Sequence, residues 1–186
     1  MNQPQEIFMK RVNLENIPQF DLLESFSIRN YHKGDEENWF KIYKAADHYN
    51  KIYSSMFKEY FGADEEKLAR RQFYVCNFKG EAIATATAWY NKDYYGEKIG
   101  RIHWVAVHPD YQGKGLAKPL LSTVMNRLKD LGHKQCYLRT LNIRTPAIKL
   151  YLSYGLKPDI HNANDELLWK DIQQRFEDQG LEPKPF

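Results

Sequence analysis

The sequence predicts a single α+β domain in which a mixed, mostly antiparallel central sheet is flanked by helices. A length of 186 residues suits one domain. Alternating apolar residues between positions 72 and 107 predict a three-stranded antiparallel meander. The pattern then changes to a helix, one short strand and a second helix, and not to repeated strand–helix units. A doubly wound parallel sheet is therefore not expected.

The predicted meander consists of strands Gln72–Phe78, Ala82–Tyr90 and Ile99–Val107. Lys79-Gly80 marks the first turn, and residues 91–97 form the second. The turns are short, so successive strands are expected to lie side by side.

Two helices are predicted after the meander. Residues 116–131 have apolar side chains at helical spacing, and Gly132 ends that pattern. After a short strand at 135–140, Pro146 suits the first turn of a helix that runs over Ala147–Tyr154. A hairpin of Leu156–Ile160 and Leu167–Lys170 is expected to follow.

The remaining segments define the predicted boundaries. Residues 1–25 are expected to form an irregular N-terminal arm, 26–170 the folded domain, and 171–186 a tail with a helix in it that frays at its end. Within the domain, a strand is expected near residues 26–31 and a helix from Gly34 onward. Aromatic residues crowd positions 47–62, where they suit either a core or a pocket wall.

Composition excludes several classes of protein. The net charge of +3 is small and the charged residues are interspersed, so no nucleic-acid partner is expected. Cys76 and Cys136 lie in strand-like stretches, which predicts buried thiols, and the histidine spacing predicts no metal site. The sequence has neither a basic and apolar leader near Met1 nor an apolar run of about 20 residues, so we expect a cytoplasmic protein without membrane contact.

The most informative segment is Val105–Ala117, where a strand enters a turn with two glycines that opens a helix. Free backbone N–H groups and the helix dipole make such a turn suitable for binding phosphate. The glycines Gly113 and Gly115 allow close backbone approach, and Lys114 adds a positive charge. Neither the P-loop pattern nor the dinucleotide-binding glycine pattern fits these residues. The alternative is a connection whose glycines serve packing alone.

Two motifs in this order resemble the GNAT acetyltransferase superfamily. Gln112–Ala117 matches its Q/R-x-x-G-x-G/A signature, after a Val-Ala-Val strand and a His-Pro turn. Pro146–Tyr151 followed by Gly155–Pro158 is similar to A-x-x-L-Y-x-x-x-G-F-x-P, with Leu156 in place of Phe. The resemblance covers about residues 26–170 and implies a GNAT-type fold with acetyl-CoA as cosubstrate.

The resemblance also implies roles for individual residues. The backbone of Val105, Ala106 and Val107 would pair with pantetheine, and the Val105 N–H would hold the thioester carbonyl. The pyrophosphate would lie on the amides of a continuous run, namely Gln112, Gly113, Lys114, Gly115, Leu116 and Ala117. Tyr151 is the implied general acid, and Tyr154, one helical turn later, is its rival.

A general base is harder to assign. The segment His103–His108 resembles H-x-L-A-V-H of arylalkylamine N-acetyltransferases, in which the first histidine serves as base. Strand alternation predicts that His103 and Val105 share a face. The alternative is that His103 has a purely structural role and only forms hydrogen bonds within the strand. His108 is expected to cap the turn or to lie at the surface.

One position departs from the family pattern. The family has an Asn about seven residues before its Tyr, and Arg144 occupies that position here, with Asn142 two residues earlier. Asn142 is therefore the candidate contact to the cofactor, and Arg144 is expected to reach either a phosphate or, preferably, solvent.

The resemblance implies an N-acetyltransferase that acts on a primary amine by direct attack in a ternary complex. A small-molecule acceptor is preferred, and a homodimer is left open. Two other classes stay open as well. One is a non-catalytic acyl-CoA-binding or regulatory module, and the other is an enzyme that acetylates proteins or peptides.

Overall fold

The computed structural model describes residues 4–180, which form one seven-stranded sheet of order β2-β3-β4-β5-β6-β1-β7. All neighbouring strands are antiparallel except for the parallel pair β5–β6. The predicted mixed, mostly antiparallel sheet is therefore confirmed. The strands are β1 (Glu6–Arg11), β2 (Phe26–Asn30), β3 (Gln72–Asn77), β4 (Ala82–Tyr94), β5 (Glu97–Val107), β6 (Cys136–Leu141) and β7 (Lys157–Pro158).

Helices cover both faces of this sheet. They are α1 (Asp35–Ala46), α2 (Ser55–Phe61), α3 (Glu65–Arg71), α4 (Ala117–Asp130), α5 (Thr145–Ser153) and α6 (Ala163–Asp178), with a short 3₁₀ turn at Pro109–Tyr111. One face of β4 is lined by Ala84, Ala86 and Ala88, whose small side chains let α4 pack closely against the sheet. The opposite face packs under an aromatic cluster from α1 and α2.

The N-terminal segment is not the irregular arm that the sequence predicts. Glu6–Arg11 forms β1, which pairs with β6 along its whole length and with β7 on its other side. Ile7 and Met9 alternate into the core and are fully buried, so burial of alternate side chains makes this segment a strand. Residues 1–3 of the predicted arm lie outside the described residues.

The predicted C-terminal hairpin is also wrong. Its first strand shrinks to Lys157–Pro158, and Leu167–Lys170 lies inside α6. The buried residues of α6 recur at helical spacing, and Asn162 caps the helix by accepting a bond of 3.0 Å from the Asp165 N–H. The expected tail helix is therefore present but begins at Ala163. Residues 181–186, where the tail is expected to fray, are not among the described positions.

Within residues 4–180, no helix combines the length and apolarity needed to cross a bilayer. Over the same range, no three His, Cys, Asp or Glu side chains are arranged to hold a metal ion. Cys76 and Cys136 are buried and unbridged.

The packing of β1 predicts a large stability effect at Met9. We expect Met9→Ala to lower the free energy of unfolding by about 3 kcal/mol, because a fully buried side chain leaves a cavity. Chemical denaturation would measure this loss. Val12→Ala, at an exposed position just after the strand, is the control and should change stability by less than about 0.5 kcal/mol. Equal effects of the two substitutions would contradict the placement of β1.

Candidate active site

The candidate site begins where β5 and β6 separate. These parallel strands pair only at Gly100–Cys136 and Arg101–Tyr137, although β5 continues to Val107 and β6 to Leu141. Past Arg101, β5 remains paired with β4 on one side, while its other edge has no partner strand. This is the splay that the resemblance implies, and it opens a wedge-shaped cleft with backbone groups along one wall.

A β-bulge in β5 changes which side chains share a face. Thr87 is paired with His103 and Thr85 with Ala106, so Ala86 lies opposite two residues, Trp104 and Val105. Trp104 adopts φ 51°, in the left-handed region. The prediction that His103 and Val105 lie on one face is wrong, because this extra residue turns Val105 toward the α4 side. His103 and Trp104 both face the aromatic cluster.

The aromatic cluster holds the bulge in place. The Trp104 ring lies 5.1 Å from that of Trp39, 4.8 Å from Tyr43 and 4.8 Å from Tyr60, measured between centroids. Edge-to-face contacts of this kind are favourable beyond the area they bury. They offset the backbone strain at Trp104 and fix the direction in which the β5 edge faces the cleft.

Tyr151 and His103 line one pocket of about 320 Å³ in this cleft, as the sequence predicts for a shared site. The sheet forms its floor, and α1, the segment after it and α2 form its roof. The other lining residues include Glu6, Tyr43, Asp47, Lys51, Met56, Tyr60, Arg101, Trp104, Val105, Arg139 and Arg144.

A larger concavity of about 580 Å³ lies elsewhere, between α3 and the β4–β5 hairpin. Basic side chains such as Lys67 and Arg71 line it, but none of the sequence-predicted site residues does. The smaller cleft is therefore the candidate active site.

The predicted phosphate-binding turn has the expected geometry. Gly113 and Gly115 have φ values of 75° and 77°, which disfavour any side chain, and the turn leads directly into α4. Among the described residues, the backbone N–H groups of residues 113–117 make no hydrogen bond to a protein acceptor. The Gln112 side chain instead donates to the Val107 carbonyl over 3.0 Å and joins the turn to the end of β5. His108 caps the 3₁₀ turn, as expected.

The two candidate tyrosines of α5 are clearly separated. Tyr154 is fully buried between helices, where its hydroxyl donates to the Lys118 carbonyl over 2.6 Å and lies 2.8 Å from Ser122 Oγ. Tyr151 instead lines the cleft. Burial raises the pKa of Tyr151 to about 12, with the positive charge of Arg144 opposing the shift. Tyr151 is therefore protonated at neutral pH and able to donate a hydrogen bond.

Tyr43 is a site residue that sequence reasoning missed. Its hydroxyl is buried and has no hydrogen-bond partner among the described residues. Burial, followed by the neighbouring Tyr151, raises its pKa well above the ordinary value. The sequence signals only that Tyr43 belongs to the apolar face of α1, and the cleft on that face is produced by tertiary packing.

Arg144 forms an ion pair within the protein and does not extend freely into solvent. Its Nη2 lies 2.8 Å from Asp47 Oδ2, so the beginning of α5 is tied to the end of α1. Burial raises the pKa of Asp47, but hydrogen bonds from Asn50 and Tyr49 and the Arg144 charge outweigh it, and the net pKa is lowered. The expectation of a solvated Arg144 is therefore wrong.

Asn142 bonds to protein groups through its two oxygens, while its side-chain Nδ2 is buried with no hydrogen-bond partner among the described residues. It is fully buried, its side-chain oxygen accepts from the Gln5 N–H over 3.0 Å, and its carbonyl accepts from Arg175 over 2.6 Å. Among the described residues it is not part of the cleft wall formed by Tyr151 and His103. Its predicted contact with the cofactor remains a prediction.

Two further groups have strongly shifted pKa values. Burial, and then the charges of Arg101 and Arg139, lowers the pKa of His103 well below its usual value, so the imidazole is neutral at pH 7. Burial raises the pKa of the Cys136 thiol to about 12. A thiol that stays protonated is a poor nucleophile, which argues against a covalent relay.

Comparison with known proteins agrees with this geometry. The family model described as Acetyltransferase (GNAT) family matches residues 36–156. The chain belongs to the GNAT acetyltransferase family. A GCN5-related N-acetyltransferase from Sphaerobacter thermophilus has a similar structure, with a TM-score of 0.69, 18% identity and coverage of 84% of this chain and 49% of that chain.

Two relatives also match in sequence. An uncharacterized N-acetyltransferase from Methanocaldococcus jannaschii is 24% identical over 148 residues, covering 74% of this chain and 63% of its own length. N-acetyltransferase 8 from Mus musculus is 30% identical over 98 residues, covering 52% of this chain and 43% of its own. The chain thus spans less than two thirds of either relative.

The ion pair between Asp47 and Arg144 predicts coupled stability effects. We expect Arg144→Met to destabilise the GNAT domain by about 2 kcal/mol, because it leaves a buried carboxylate unpaired. In a double-mutant cycle with Asp47→Asn, urea unfolding should give a coupling of about 1 kcal/mol or more. The folded-state pKa of Asp47 is below its unfolded value of about 3.9, so this stabilisation is present above about pH 4 and is lost as the pH falls further. Strict additivity at pH 7 would contradict the pair.

Proposed function

We propose that this chain transfers an acetyl group from acetyl-CoA to a primary amine by direct attack in a ternary complex. One observation carries the proposal: the unpaired edge of β5 leads into the free amides of residues 113–117 at the beginning of α4. A strand edge followed by an anion site is complementary to an extended, amide-bearing arm that ends in a diphosphate. Coenzyme A has this chemistry.

The anion site is built from backbone dipoles. The N-terminus of α4 carries backbone N–H groups without protein partners among the described residues, and the helix dipole favours negative charge there. The exposed side chain of Lys114 can add a positive charge to the same turn. In this arrangement the diphosphate anchors the cofactor, and the pantetheine arm runs along residues 105–107 with its thioester in the cleft.

Tyr151 is proposed to stabilise the leaving thiolate. The amine nitrogen attacks the thioester carbonyl, the C–S bond breaks, and negative charge develops on sulfur. With a pKa of about 12, complete proton transfer from Tyr151 to a thiol of ordinary pKa near 8.5 is uphill by about 5 kcal/mol. Tyr151 therefore acts mainly by donating a hydrogen bond to the sulfur, and the Val105 N–H is proposed to hold the carbonyl oxygen.

His103 is proposed to receive the proton of the amine, directly or through water. Its neutral imidazole has a free acceptor at pH 7, but its lowered pKa makes it a weak base toward an alkylammonium group of pKa about 10.4. Because His103 is a weak base, we propose that it passes the proton on to solvent and does not retain it.

A small acceptor is preferred over a protein chain. The pocket between the sheet and helices α1 and α2 has a volume of about 320 Å³, which is typical of sites for small molecules. The non-catalytic alternative predicts tight binding of acetyl-CoA with no transfer to any amine.

The separation of the two tyrosines gives a matched pair of variants. Tyr151→Phe should lower kcat about 100-fold, because it removes the donor to the thiolate, while the dissociation constant of CoA stays unchanged. Tyr154→Phe removes a hydroxyl from the α4–α5 contact and should cost about 1 kcal/mol of stability with kcat within about twofold. Steady-state CoA release would measure both. Equal kcat values for Tyr151→Phe and the wild type would refute this role.

The turn at the beginning of α4 predicts how the cofactor binds. Calorimetry should show acetyl-CoA binding at least about 100-fold more tightly than acetyl-pantetheine, which lacks the diphosphate. Gly115→Ala should weaken acetyl-CoA about tenfold, because φ 77° is strained for alanine. Gly132→Ala, with φ 81° at the other end of α4, is the control and should lower stability alone. Absence of any acetyl-CoA binding by the wild type would overturn the proposed function.

A further inference from the structure

One arginine in the cleft, Arg101, has no carboxylate within ion-pair distance among the described residues, although Glu6 acts on it from farther away. Arg101 is partly buried on β5 where the two strands part, and its Nε is buried without a hydrogen-bond partner. Among residues 4–180, no carboxylate forms an ion pair with it. The Arg101 guanidinium makes a cation–π contact with the ring of Tyr137, with its central carbon 5.6 Å from the ring centroid. Removing part of a charge from water without pairing it costs stability, so the arrangement suggests a ligand that supplies the missing charge.

The other cleft arginines differ in this respect. Arg139 lies 3.2 Å from Glu6, and Arg144 lies 2.8 Å from Asp47. Both carboxylates of the pocket wall are therefore already used. Lys51 at the exposed rim has no ion pair among the described residues either. The cleft consequently presents an excess of positive charge centred on Arg101.

Arg101 lies on the acceptor side of the cleft. It is paired with Trp89, and directly opposite residues in an antiparallel pair share a face, so Arg101 and His103 both lie toward α1 and α2. The phosphates of coenzyme A are too far away to be its partner. Six residues of strand, about 20 Å at 3.3 Å each, separate Arg101 from Val107, and the phosphate-binding turn lies beyond that.

We propose that the acceptor amine carries an anionic group, a carboxylate or a phosphate, that pairs with Arg101. The inference rests on the proposed function, since it names the class of acceptor for that site. The walls of the same pocket include Met56, Tyr60 and Trp104, which offer apolar contact to the body of the acceptor. An amino acid or an amino-sugar phosphate has the required combination of amine and anion.

Matched acceptors test the inference. Lysine and 1,5-diaminopentane differ by one carboxylate, as do phenylalanine and 2-phenylethylamine, and glucosamine 6-phosphate differs from glucosamine by one phosphate. The anionic member of at least one pair should show a kcat/KM about 10- to 100-fold higher, as expected for one charged hydrogen-bonded pair. The pair that responds distinguishes carboxylate from phosphate. Equal or lower values for the anionic member in every pair would overturn the inference while leaving acetyl transfer intact.

Variants locate the effect. Arg101→Gln should abolish the preference by lowering kcat/KM of the anionic acceptor about 10- to 100-fold, with the uncharged partner changed less than about threefold. Arg101→Lys, which keeps the charge, should restore part of the preference. Lys98→Gln removes an exposed charge of β5 outside this cleft and should have no effect. A preference that survives Arg101→Gln would also refute the assignment.

A binding measurement separates failure of this inference from failure of the proposed function. Calorimetry with the six compounds, with acetyl-CoA omitted, should show the same preference and its loss in Arg101→Gln even in the absence of turnover. NMR of His103 should show its pKa rise when the anionic compound binds, because a negative charge then offsets Arg101. If no anionic compound binds and the His103 signal does not move, the inference is wrong whatever the transfer assay shows.

Discussion

The open edge of β5 is the constraint on which the rest of the site depends. Backbone N–H and C=O groups need partners, and a strand in the middle of a sheet normally finds them on both sides. Here β6 diverges after Tyr137, and the β1–β7 half of the sheet diverges with it. The uncovered groups can be satisfied by water or by a ligand that is itself extended, so an edge that would be a defect elsewhere becomes a binding surface.

At the bulge, the backbone strain of Trp104 is offset by packing against residues that are far away in the sequence. A tryptophan in the left-handed region is unfavourable by itself. Three aromatic rings, from Trp39, Tyr43 and Tyr60, hold it through contacts that no local sequence pattern reveals. Two of these rings, those of Tyr43 and Tyr60, also line the pocket, so the geometry of the bulge and the shape of the acceptor site are energetically linked.

Local sequence patterns predict much of the fold, but they predict less of the candidate site. Helix α4 is predictable from the helical spacing of its apolar residues. The turn before it is predictable from Gly113 and Gly115, which both adopt positive φ. Both signals lie within a few neighbouring residues. The place of β1 depends on pairing across more than a hundred residues, and the Asp47–Arg144 pair depends on how α1 meets α5. The bulge has the same apolar composition as a regular strand, so alternation predicts His103 and Val105 on one face, whereas the extra residue places them on opposite faces.

The pairing of β1 with β6 also has a consequence for folding during synthesis. Residues 6–11 leave the ribosome before their partner strand at 136–141, which is synthesised more than a hundred residues later. Until then the N-terminal segment carries exposed Ile7 and Met9 without the surface that buries them. Contacts of such long sequence separation form slowly and leave an interval in which an apolar strand is open to aggregation. Closure of the sheet by its first strand is therefore a late event, and chaperones have the opportunity to bind the segment before it.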